Sequence, residues 1–260
     1  MVRQLVGLAG LTILAAGALV LLPSTSASAS CDPAINNPLR TPNFNTDYRT
    51  GTIAQASSFG GVQAYIYNYS DYISHASPNE WENNANQSVL LVNGTSNSWA
   101  QIGELQYWNG SSKVHLVYVQ LTINGTVAWT DLFSGADPYG SKSLFKVLFN
   151  PNGSPYYKWY WTSPDGNSSL LTTSSWDFTP NEAQMEVESH NQATQFPGSV
   201  AYPTSDAGGS MYLPAGGGGS WTTYSGDVTL NNAQGWMGNS PGAGTYTSDL
   251  QTWDADCPGS

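Results

Sequence analysis

Three ionisable side chains crowd the segment Ala183-Gln184-Met185-Glu186-Val187-Glu188-Ser189-His190, in a chain that is only 10% charged. Apolar and polar residues alternate along it, which is the period of a half-buried strand. Ala183, Met185 and Val187 then face a core, while Glu186, Glu188 and His190 share the opposite face. Two carboxyls on one face repel each other when both are ionised, so one can act as base while the other holds a proton. Glu188 is the candidate base, and repulsion from Glu186 is expected to raise its pKa. A second segment, Trp99-Ala100-Gln101-Ile102-Gly103-Glu104, offers an amide that can donate to a developing oxyanion. Gln101 and Gly103 share one face of that strand. Trp99, Glu104 and His190 are candidates for the surrounding substrate groove.

The elements that must position these groups are strands. Val62 to Tyr69 alternates. Ser88–Val92, Ser98–Trp108, Lys113–Ile123 and Thr126–Phe133 are separated by Asn93-Gly94, Asn109-Gly110 and Asn124-Gly125. Asn-Gly between extended runs is a hairpin signal, because both residues tolerate positive φ. The spacing predicts a four-stranded antiparallel meander. Phe145–Phe149 and Tyr156–Thr162 predict a further hairpin, with Trp159 and Trp161 as groove aromatics or as ordinary sheet packing. Leu170–Phe178 and Ala183–His190 follow. Asp32–Phe59, with three prolines, reads as a wrapping loop. Ala207–Ser220 reads as a Gly-rich loop, Trp221–Leu230 as a late strand or hairpin, and the tail to Cys257 as irregular. Short strands without a helical period predict an all-β fold, an antiparallel two-sheet sandwich of jelly-roll type.

Residues 1–29 read as a signal peptide: Arg3, an apolar run from Leu5 to Leu22, and Ala27-Ser28-Ala29 before the cleavage point. Residues 30–260 read as a single sandwich domain, secreted to the extracellular space and monomeric. Cys31 and Cys257 are the two cysteines and are expected to tie the ends together as a disulfide. The formal net charge is −11, from 7 Lys and Arg against 18 Asp and Glu. This argues against nucleic acid or an anionic membrane as partner. With so few bases, few carboxylates can be paired, so the fold is expected to tolerate acid better than mild alkali. His75, His115 and His190 lack ligand-like spacing, so no metal is expected, nor any cofactor. The glycines at 216–219 have no Lys after them, so they form no phosphate cradle. Asn86 and Asn124 lie in Asn-x-Ser/Thr sequons.

Gln101-Ile102-Gly103 resembles the Gln-x-Gly of the eqolisin family of glutamic peptidases. Glu188-Ser189-His190-Asn191, with Thr194-Gln195-Phe196-Pro197-Gly198 after it, is similar to segments of neprosin-type peptidases. The resemblance implies a concanavalin-like sandwich, a Gln101/Glu188 dyad that activates water on a peptide bond, and a polypeptide substrate. Two other readings stand beside it. One is a non-catalytic sandwich that binds carbohydrate or a surface partner through exposed aromatics. The other is a glycoside hydrolase with paired glutamates acting on a polysaccharide.

Overall fold

The Asn-Gly turns build the meander in different ways. β1 (Tyr48–Gln55), β2 (Phe59–Tyr67), β3 (Asn84–Asn93), β4 (Ser98–Trp108), β5 (Lys113–Ile123) and β6 (Thr126–Phe133) come first. Asn124 and Gly125 alone close β5 to β6, with φ of 51° and 74°, the mirror-image turn that suits twisted strands. Between β3 and β4 the turn is longer and Asn97 takes the positive φ, 49°. Between β4 and β5 the Asn109 side chain caps the loop, its Oδ1 accepting from the amides of Ser111 and Ser112. The chain continues through β7 (Lys142–Phe149), β8 (Tyr157–Thr162), β9 (Ser168–Ser174), β10 (Glu182–Ser189), β11 (Thr204–Pro214), β12 (Thr222–Thr223), β13 (Val228–Asn231), β14 (Met237–Pro241) and β15 (Leu250–Asp254). The computed structural model describes residues 48–68, 73, 84–133, 140–190, 204–214, 219–223, 228–231, 237–241 and 250–254. The expectations for residues 1–29, Cys31, Cys257, His75 and residues 191–198 lie outside them. No helix occurs among the described residues.

Two antiparallel sheets form the sandwich. One has the order β13-β1-β10-β3-β4-β5-β6, so the predicted meander is four of its seven strands. The other has the order β14-β15-β11-β2-β7-β8-β9, with β12 paired to β11. Their inner faces meet in one core that includes Val62, Ile66, Val89, Ile102, Val119, Phe145, Val147 and Met185. Each such side chain contributes about 1.5–3 kcal/mol by leaving water. Tyr157 is fully buried there, stacked on Phe178 at 4.7 Å, and donates its hydroxyl to the Phe178 carbonyl.

Three expectations need correction. The Pro-rich stretch does not stay a loop, because its end forms β1, paired to β10 over its whole length. The Gly-rich stretch from Ala207 lies partly in β11, and the tail supplies β14 and β15. In each case pairing with a neighbouring strand satisfies backbone groups whatever the local composition suggests. Trp159 and Trp161 point inward as well. Trp159 is fully buried, edge-on to Trp129 at 5.2 Å, and Trp161 packs against the core. They are sheet packing, not groove walls.

Candidate functional site

Alternation places the β10 side chains as expected. Ala183, Met185 and Val187 are in the core, and Glu186 and Glu188 take the outer face of the seven-stranded sheet. That face is not solvated at this point: Glu186 is 1% exposed and Glu188 5%. Both line a cavity of about 380 Å³ whose other walls include Trp99, Gln101, Tyr118 and His190. Gln101, from β4, therefore opens into the same hollow as the two β10 carboxyls.

The registers give the rows across this face. One row runs Gly51, Glu186, Ser88, Gly103, Tyr118 over β1, β10, β3, β4 and β5. On one side of it lies Arg49, Glu188, Asn86, Leu105, Leu116. On the other lies Gln184, Leu90, Gln101, Gln120, Thr130. Strand β3 separates Gln101 from both acids, and Glu186 is one row from it where Glu188 is two. Ser88 bridges the gap: the Gln101 amide donates to Ser88 Oγ at 2.8 Å, and Ser88 stands beside Glu186 in its row.

The two glycines of the central row are there because backbone comes close. A Cβ on Gly103 would lie 1.9 Å from the Gln87 carbonyl oxygen, and one on Gly51 2.1 Å from that of Met185. No side chain fits at either position without moving a neighbouring strand. The glycine of Gln101-Ile102-Gly103 thus has a structural reason independent of any chemistry.

Glu188 is held from three sides. The Arg49 guanidinium donates Nε–H to its Oε1 at 3.0 Å, Asn86 donates to Oε2 at 3.0 Å, and His190 Nε2 lies 3.6 Å from Oε1. Burial pushes the carboxyl pKa up, but Arg49, His190 and Asn86 outweigh it and hold the group down at about 2. The expected upward shift from Glu186 is overturned by these partners. Tyr118 donates its hydroxyl to Asn86 Oδ1 at 3.1 Å. Burial and then the negative charge of Glu188 raise its pKa well above the ordinary phenol value, so it remains a donor.

Of the other candidates, Trp99 and His190 line the cavity. Glu104 does not. It faces between the sheets, 4% exposed, with His115 Nε2 at 3.1 Å. It falls on the inner face because its parity on β4 is that of Ile102. Glu186 and Glu188 also stand side by side on one strand, not across a trough as a glycosidase pair would. Arg49, Asn86, Ser88 and Tyr118 were not singled out from the sequence. Arg49 lay in a predicted loop, and Asn86 had only its sequon as a signal. Among the described residues no three His, Asp or Glu side chains gather as a metal-ligand set.

The fold and this outer-face cavity define an antiparallel β-sandwich hollowed on one sheet. No protein-family model matches the sequence, and no curated protein matches it. Among solved structures the chain is similar to scytalido-glutamic peptidase bound to a peptide-based transition-state analogue, with TM-score 0.53 and 13% identity over 80% of this chain and 98% of that one. SCP-B, an eqolisin-family peptidase in complex with the tripeptide Ala-Ile-His, aligns at TM-score 0.48 and 13% identity over the same shares. Galectin-Va of Xenopus laevis aligns at TM-score 0.34 and 11% identity over 54% of this chain and 90% of that one. The first of these likenesses shows that the chain has the fold of a glutamic peptidase.

Proposed function

We propose that this protein is a secreted hydrolase of peptide bonds of the glutamic-peptidase kind, working in acid. The observation that carries the reading is one cavity holding Gln101, Glu186 and Glu188, brought together from strands far apart in sequence. The fold of scytalido-glutamic peptidase, captured with a peptide-based analogue, supports it. Glu188 stays a carboxylate down to about pH 2, so it can take a proton from water at the pH where other carboxyls are neutral. The water oxygen adds to the peptide carbonyl carbon. The oxyanion accepts an N–H from Gln101, a donor worth about 3–4 kcal/mol when preorganised. Glu186, the carboxyl one row nearer to Gln101, gives a proton to the amine nitrogen as the C–N bond breaks. Transfer of the water proton from Glu188 back to Glu186 completes the cycle.

The test is cleavage of an acid-denatured protein substrate between about pH 3 and 5. Glu188→Gln and Glu186→Gln should each lower the rate by about 100-fold or more, and Gln101→Ala by a similar factor. Full activity in Glu188→Gln removes this site as the cause. A second reading is favoured by the Arg49–Glu188 ion pair: a fixed charge that binds a peptide or sugar without turnover. It predicts a ligand that binds in this cavity and is recovered intact.

A further inference from the structure

The outer face of the eight-stranded sheet has a different chemistry. Its outward residues are Gln63, Tyr65 and Tyr67 on β2, Lys142, Leu144, Lys146 and Leu148 on β7, and Lys158, Tyr160 and Thr162 on β8, alternating with the buried core positions. The chain has four lysines, and three of them are on this face. No Asp or Glu occurs in β2, β7, β8 or β9. In a chain of net charge −11, this is a concentrated cationic area.

The registers interleave the lysines with tyrosines. Tyr67 stands opposite Lys142, and Lys146 stands opposite Tyr160. The Lys142 ammonium lies 5.3 Å from the Tyr65 ring centre and 5.4 Å from that of Tyr67, and Lys146 lies 4.8 Å from that of Tyr160. Lys142 is exposed and Tyr65 is 41% exposed. The rings hold the ammonium groups at defined places on this face. At one end Leu148, Lys158 and Tyr160 wall a hollow of about 270 Å³ with the amides of Asn150 and Asn152.

We propose that this face is a docking surface for an acidic polysaccharide, a glycan with uronic acid residues along its chain. Charge complementarity selects an anion. The tyrosines select one with flat apolar ring faces between its charges, since the C–H face of a sugar ring packs on an aromatic ring and its carboxylate reaches the neighbouring ammonium. The side-chain amides at the rim supply partners for hydroxyl groups. A nucleic acid fits less well: its higher charge density calls for many more cations than three lysines supply. The site lies on the opposite sheet from the Glu188 cavity and does not depend on what that cavity does.

The full-length chain is titrated with polygalacturonate and, in parallel, with dextran, a DNA duplex and phosphatidylserine vesicles. Polygalacturonate is expected to bind, more weakly as salt rises, and dextran not to bind. Lys142→Gln/Lys146→Gln/Lys158→Gln should weaken binding at least 10-fold while leaving the thermal melt in place. Tyr65→Ser/Tyr160→Ser, which keeps every charge, should weaken it at least threefold, whereas Glu188→Gln should leave it unchanged. Absence of binding, wild-type affinity in the triple lysine variant or in the tyrosine pair, or a preference for DNA or vesicles over the polyuronate would each overturn the proposal.

Discussion

The two outer faces of the sandwich are built by the same period-2 alternation and end up with opposite characters. On the seven-stranded sheet most outward residues of β10, β3 and β4 are buried, and Glu188 among them is tied by hydrogen bonds from Arg49 and Asn86. On the eight-stranded sheet the outward residues include lysines and tyrosines, with Lys142 and Tyr65 open to solvent. A side chain's chemistry here follows from what lies above its strand. A carboxyl enclosed with Arg49 becomes a fixed charge. A lysine over a tyrosine ring stays available to a partner.

The largest contrast should come from glycine. Gly103→Val puts a side chain into the backbone of β3 and should cost about 3 kcal/mol or more in urea unfolding. On the other sheet a Cβ on Gly61 first meets the flexible end of Leu148 at 2.9 Å, so Gly61→Ala should cost only about 1 kcal/mol. Equal losses would mean that the close approach in the Glu186 row is not the tighter of the two.

Next in size is the ion pair. Arg49→Ala leaves the Glu188 carboxylate enclosed without its cation and should cost about 1–3 kcal/mol at neutral pH. The pH dependence has a definite sign. Glu188 sits at about 2 in the fold and at the ordinary value of about 4.3 in the unfolded chain. Its contribution is complete above about pH 5 and is lost as pH falls toward 2. Thermal melts of wild type and Arg49→Ala should therefore differ most at neutral pH and converge near pH 2. Lys142→Ala, on β7, a strand without carboxyls, should shift stability by about 1 kcal/mol or less, with no such convergence. Tolerance of acid, argued from the scarcity of bases, thus has a local exception at Glu188, which is paired with Arg49. The smallest effect belongs to the turn: Gly125→Ala forces φ of 74° on an L-residue and should cost about 1 kcal/mol in the same unfolding assay.

Much of this was legible in the residues. The meander, the β7–β8 hairpin and the face shared by Glu186, Glu188 and His190 all follow from alternation and turn chemistry, which act over a few residues. The site was only half legible. Gln101 and the acids could be put on outward faces, but the row each occupies is a matter of register between strands far apart in the chain. Glu104 shows the cost of ignoring parity: it is three residues from Gln101 and therefore on the other side of the sheet.

By itself the sequence determined an all-β chain, its central hairpins and which side chains share a face, because those depend on a two-residue period and on backbone angles that particular residues tolerate. Only the tertiary structure decided that a proline-rich stretch would end as a strand beside β10 and deliver Arg49 to Glu188, or that Trp159 would be walled in while Tyr160 faces out. Those outcomes are set by which strands pair and which sheet covers which. That choice is made by burial and backbone hydrogen bonding summed over the whole sandwich, and no short window of residues contains it.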